Sequence, residues 1–177
     1  MVLVAVMSAA GATAQRAPAP ASAMTVAGVE LVDTLGQKVD LRGVVTGATP
    51  SVISFTYLGC RSICPTSDLV MDQVARLLEE SPGQGDVQLL TLTIDPFNDT
   101  PELLARRAVE IGSSIRRRWL SGEPEQVFGA LDGLGMQFGR LDEHGAFFVV
   151  VRDQGRTLQR VNGVPDPSLL LAFARGA

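Results

Sequence analysis

The residues in this chain best suited to soft-metal or redox chemistry are two cysteines and one histidine. Cys60 and Cys64 are the only cysteines, and they stand in the run Cys60-Arg61-Ser62-Ile63-Cys64-Pro65. Pro65 suits a first helical turn, so the second cysteine falls where a helix begins. The partial positive end of a helix and its unpaired N–H groups favour a thiolate, which can attack a disulfide or bind a metal. Two thiolates suit Cu(I), and one imidazole would complete a three-coordinate site that tetrahedral zinc fills less well. The only imidazole is His144, in Leu141-Asp142-Glu143-His144-Gly145, just ahead of a strand expected from Ala146. A loop so placed can face the cysteine loop across one end of a sheet, although a lone histidine is more often a surface or core residue. The spacing is also that of a local structural disulfide, but so short a loop would be a weak staple.

The elements that must position these residues follow from pattern and turn chemistry. Val29 to Val32 and Lys38 to Leu41 alternate on either side of Asp33-Thr34-Leu35-Gly36-Gln37 and read as a β-hairpin with Gly36 in the turn. Ser51 to Tyr57 is rich in β-branched and aromatic residues, as a buried central strand requires, and runs directly into Cys60. From Pro65, the residues Val70, Val74, Leu77 and Leu78 form one apolar helical face that ends at Pro82-Gly83. Val87 to Ile94 is a second strand, and Thr100-Pro101-Glu102 opens a helix with Leu104, Ala108 and Ile111 on its apolar face. The basic run Arg116 to Arg118 reads as a solvated helix end. A further helix from about Pro124 carries Val127, Leu131 and Leu134, with Gly133 or Gly135 near its end. Ala146 to Val151 and Thr157 to Val161 form a closing hairpin around Asp153-Gln154-Gly155, and Pro167 to Ala174 a terminal helix. This order implies an α/β domain of thioredoxin-like type, a mixed central sheet flanked by helices, with the cysteines at the C-terminal end of a central strand.

The bulk properties agree with one such domain. The chain has 177 residues, 46% of them hydrophobic and 19% charged, enough to bury a normal core. A net charge of -4 argues against nucleic acid as a partner, since phosphate binding needs a concentrated basic surface. Val2 to Ala14 is apolar or small and uncharged, and Ala12-Thr13-Ala14 fits a cleavage site, so residues 1–14 read as a signal peptide or an uncleaved anchor. Residues 15–26 form a Pro/Ala-rich linker, and residues 27–177 the folded domain. The expected location is the periplasm or another exported compartment, with membrane association through the N-terminus.

Several blocks together resemble the Sco/SenC family of copper-binding thioredoxin-fold proteins. Phe55-Thr56-Tyr57-Leu58-Gly59-Cys60-Arg61-Ser62-Ile63-Cys64-Pro65-Thr66 is similar to the family's aromatic strand end and C-x-x-x-C-P motif. Thr93-Ile94-Asp95-Pro96-Phe97-Asn98-Asp99-Thr100-Pro101 resembles its S-x-D-P-x-x-D-T-P signature. Trp119-Leu120-Ser121-Gly122 is similar to a shortened W-x-x-L-T-G, and Asp142-Glu143-His144 to the family's D-H ahead of a strand. The resemblance spans Ala27 to Val161. It implies that Cys60, Cys64 and His144 are copper ligands, for Cu(I) and also Cu(II). It further implies that the partner is cytochrome c oxidase subunit II or another copper protein, supplied by copper donor or thiol reductant proteins. Arg61 stands where the family commonly has Pro, and its charge would favour a thiolate. Glu143 separates Asp142 from His144, and the stretch from Leu134 to His144 is shorter than in typical members.

Two functions compete on these residues. In one, the chain is a metallochaperone that passes copper on by ligand exchange. In the other it is a thiol-disulfide oxidoreductase, with Cys60 or Cys64 attacking a mixed disulfide and the other resolving it. The three-residue spacer and the single histidine favour copper. Nothing further supports peroxide reduction. Asp95 and Asp99 read as turn and helix-start residues, with a role for Asp95 in the electrostatics of the copper loop as the alternative. Met71, Met136, Tyr57 and Trp119 read as core.

Overall fold

The computed structural model describes residues 28–136, 141 and 145–177. The segments expected to be signal peptide and linker, and His144, lie outside these residues. The first hairpin pairs β1 (Glu30–Asp33) with β2 (Lys38–Asp40). Its turn is held by the Asp33 carboxylate, which accepts the N–H groups of Leu35 and Gln37 at 2.9 Å each, while Gly36 takes the positive φ of 74°. A short helix, α1 (Leu41–Val45), follows directly, a turn of helix with no counterpart in the sequence reading, which ends a strand at Leu41.

The body then alternates. β3 (Ser51–Thr56) leads to α2 (Cys64–Glu80), β4 (Gln88–Thr93) to α3 (Pro101–Glu110), and β5 (Arg117–Ser121) to α4 (Pro124–Gly133). The hairpin of β6 (Phe147–Arg152) and β7 (Thr157–Asn162) and the helix α5 (Pro167–Arg175) close the chain. One seven-stranded sheet results, in the order β2-β1-β5-β4-β3-β6-β7. β3, β4 and β5 run parallel, whereas β1 lies antiparallel to β5 and β6 antiparallel to β3. The sheet is therefore mixed, as expected, and every residue of β3 is buried.

Alternation along the strands builds a core on each face. Val52, Leu89, Phe148 and Val150 point to the side covered by α2 and α5, where Val70, Met71, Val74 and Leu171 meet them. Ile53, Phe55, Leu92, Leu120 and Val149 point to the other side, against Val127 and Leu131 of α4.

One expectation is overturned. The run Arg116 to Arg118 is not a solvated helix end: Arg117 and Arg118 open the strand β5, and the Arg117 side chain is fully buried. Three arginines in succession mask the strand pattern. The alternation is nevertheless present, with Arg117 and Trp119 on one face and Arg118 and Leu120 on the other. Arg117 is tolerated in the interior because Asp68 of α2 neutralises it, and Arg118 pairs with Asp33 at 2.6 Å. Burial pulls the Arg117 guanidinium below its ordinary pKa, against the opposing pull of Asp68 and Asp72.

Candidate metal centre

β3 ends at Thr56, and the chain turns through Tyr57–Ile63 before α2 begins at Cys64. The Cys60 N–H donates to the Tyr57 carbonyl at 3.0 Å, which folds the loop back over the strand end. Pro65 lies in the first turn of α2, where its missing N–H costs no hydrogen bond. The Cys64 N–H donates to Cys60 Sγ at 3.2 Å, so the start of the helix supplies a donor to that sulfur. The two cysteines are joined as a disulfide with their Cα atoms 5.9 Å apart, and both are buried. Arg61, between them, is exposed.

The loop is anchored from the turn between β4 and α3. The Asp99 carboxylate, buried at 1% exposure, accepts the Leu58 N–H through both oxygens at 3.2 Å and the Thr93 hydroxyl at 2.6 Å. The Ser121 hydroxyl donates to the Asp99 carbonyl at 2.5 Å, which brings the end of β5 into the same network. Burial raises the Asp99 pKa above its ordinary value, opposed by the hydrogen bonds from Thr93 and Leu58 and reinforced by the nearby charge of Asp95. The carboxylate that reaches the cysteine loop is thus Asp99. That of Asp95 instead accepts both of its bonds from the Asn98 amide, at 2.9 and 3.0 Å, within its own turn.

His144 lies outside the described residues, but the elements that follow it are defined. β6 starts at the end of the sheet where β3 delivers Cys60: Ser54 pairs with Phe148, and the Phe147 ring stacks on Phe55 with centroids 4.6 Å apart. Among the described residues, no group of three or more His, Cys, Asp or Glu is placed to hold a metal ion. Cys60 and Cys64 supply two soft donors, and a third would have to come from elsewhere. Met71 and Met136 are buried in the two cores, Tyr57 packs against the second of these, and Trp119 is enclosed, as core residues should be. Sequence reasoning missed Asp68 and Arg117, whose only outward sign is a basic run where a strand belongs.

Residues 18–174 match the SCO1/SenC family. A SCO2-like protein of Rickettsia felis is 24% identical over 136 residues, which cover 71% of this chain and 64% of that protein, so the chain spans under two thirds of that relative. The structure of BsSco, described as a member of the Sco family of cytochrome c oxidase assembly proteins with a disulfide switch, superposes with a TM-score of 0.73 at 20% identity, covering 89% of this chain and 95% of that one. Copper-bound ScoI of Bradyrhizobium japonicum superposes with a TM-score of 0.65 at 20% identity, covering 84% and 96%. These two likenesses confirm the fold, and the sequence match runs through the cysteine loop, the Asp99 anchor and the closing hairpin: the chain belongs to the SCO1/SenC family.

Proposed function

We propose that this protein binds copper through Cys60, Cys64 and His144 and serves the assembly of the binuclear copper centre of cytochrome c oxidase subunit II, or of another copper protein. Copper is the cargo in this reading. The observation that carries it is the cysteine pair itself: two sulfurs close enough to bond, one on the loop leaving a buried strand and one on the first residue of a helix, with a helical N–H directed at Cys60 Sγ. Once reduced, such a pair offers two thiolates to a soft cation. The start of β6 beside the end of β3 supports His144 as the third ligand. The copper held by ScoI of Bradyrhizobium japonicum and the cytochrome c oxidase assembly family of BsSco support the choice of metal and of pathway.

A second reading rests on the bond between Cys60 and Cys64. A chain that closes this disulfide can exchange it with a partner's thiols, and the disulfide switch described for BsSco supports this use. In either case the protein is exported, with residues 1–14 as signal or anchor, 15–26 as linker and 27–177 as the working domain. No helix among the described residues is long and apolar enough to cross a membrane.

The deciding experiment is an anaerobic Cu(I) titration of the reduced protein against a chromophoric chelator, beside Cys60→Ser, Cys64→Ser and His144→Ala. The expected outcome is one-to-one binding that weakens in all three variants. A wild-type protein that cannot compete for Cu(I), yet whose dithiol exchanges readily with disulfides, would replace the chaperone with the oxidoreductase. An unaltered His144→Ala would remove the histidine from the site.

A further inference from the structure

Beneath the first two turns of α2 lies a charge cluster that neither reading employs. Asp68 follows Cys64 by one helical turn, where side chains share a face with Cβ atoms about 6 Å apart. Its buried carboxylate accepts Arg117 Nη2 at 2.5 Å and faces Arg107 Nη2 at 3.5 Å. The Arg117 side chain is wholly enclosed. Its Nε donates to the Thr91 hydroxyl at 2.6 Å, and its guanidinium carbon lies 4.1 Å from the centre of the Trp119 ring. Among the described residues Arg117 Nη1 has no hydrogen-bond partner, and it faces Asp72 Oδ1 at 3.7 Å. Asp72 in turn accepts the Ser113 hydroxyl and the Ser114 N–H, and Arg107 also meets Glu110.

A buried ion pair is weak evidence for stability, because desolvation offsets most of its attraction and an apolar pair of similar size holds helix to sheet as well or better. Its effect should instead be sought on the chemistry one turn away. Two thiolates on Cu(I) carry a net negative charge, and so does the transition state of thiolate attack on a disulfide. An unpaired carboxylate beside Cys64 would oppose both, in an interior where salt screens little.

We propose that Arg117 is a positioning residue for the cysteine site, acting through Asp68: it fixes the first turns of α2 against β5 and cancels the carboxylate charge one turn from Cys64. The copper arm of this inference rests on the proposed copper function; the disulfide arm does not.

The test compares Arg117→Met, Asp68→Asn and the double variant in two measurements. One is Cu(I) affinity against a chelator. The other is the rate at which dithiothreitol reduces the Cys60–Cys64 disulfide. There the reagent's thiolate bonds to one sulfur and the other leaves as a thiolate. The reagent's second thiol, losing its proton, then attacks that mixed disulfide, closes its own disulfide and releases the first sulfur as a thiolate, so both electrons come from the reagent. Arg117→Met, which leaves the carboxylate only the more distant, partly exposed Arg107 at 3.5 Å, should weaken Cu(I) binding and slow reduction by about tenfold. Asp68→Asn, which removes the carboxylate and keeps the guanidinium, should raise both above wild type, and the double variant should return to within a few-fold of it. A purely structural pair would lower the melting point of both single variants and shift the two measurements in the same direction in Arg117→Met and Asp68→Asn, or not at all, and that result overturns the proposal. If Arg117→Met does not fold, Asp68→Asn is compared with Arg117→Lys, which keeps the charge. Reduction should be faster in Asp68→Asn, and equal rates overturn the inference. If the wild type binds no Cu(I), the copper function falls while the reduction rates still decide this one.

Discussion

At the scale of single residues, Asp99 connects the cysteine loop to the sheet. Its carboxylate accepts the Leu58 N–H, and Leu58 lies two positions before Cys60. Asp99→Ala leaves that N–H and the Thr93 hydroxyl without their acceptor, and each buried orphan costs about 1–3 kcal/mol. The variant should therefore lose stability in a denaturant titration and show faster amide exchange at Leu58. The pH dependence has a definite sign. Because the folded-state pKa of Asp99 is raised, its contribution is fully present below the ordinary value of 3.8 and is lost as pH rises through the folded value. Asp33 behaves in the opposite way. Burial pushes its pKa up, but bonds from Gln37, Arg118 and Leu35 carry it below 3.8, so its contribution is present above that value and is lost on acidification. Equilibrium unfolding followed across the acid range should therefore show Asp99→Asn gaining on the wild type as pH rises from 3.8. Asp33→Asn should lose ground over the approach to 3.8 from below. A parallel displacement of either curve would refute the assignment for that residue.

At the scale of elements, the end of α4 governs how the chain sets out toward His144. α4 stops at Gly133, and Gly135 follows with φ of 69°, its N–H donating to the Asp132 carbonyl at 2.7 Å. A Cβ at Gly135 would meet the guanidinium of Arg160, which is exposed and can swing away, so the backbone conformation dominates the cost. Gly135→Ala should therefore destabilise by about 1–2 kcal/mol, the usual penalty for a left-handed non-glycine residue. If His144 is a ligand, the same change should weaken Cu(I) binding while leaving disulfide reduction near wild type, because Cys60 sits on the loop after β3 and Cys64 on α2. The helix starts were readable in advance for a simple reason: Thr100 accepts the Leu103 N–H and Asp166 the Ser168 N–H, local caps that need no tertiary partner. β5 was not readable, since its burial depends on carboxylates contributed by other elements.

At the scale of the molecule, the two cores of the described residues begin at Val29 and meet through one sheet. The chain enters β1 beside α4, where the Glu30 N–H donates to the Gln126 side chain at 3.0 Å. A shortened chain beginning at residue 27 should fold with the melting point of the longer one and keep its disulfide chemistry. A large loss of stability would show that residues 1–26 pack on the domain.

Local chemistry determined much of this protein in advance. Proline and capping residues mark where helices start, glycine marks the turns, and strand alternation marks the faces. The four-residue step from Cys60 to Cys64 across a strand end and a helix start was enough to nominate the site and its two soft donors. These features depend on neighbours in the chain, which a sequence displays directly. Tertiary structure alone decided that a run of arginines is a buried strand, and that Asp99 rather than Asp95 grips the cysteine loop. It also decided that Asp68 and Arg117 meet beneath Cys64. In each case the partner lies tens of residues away, and burying a charge is favourable only after the fold has brought the opposite charge or the right donors to it.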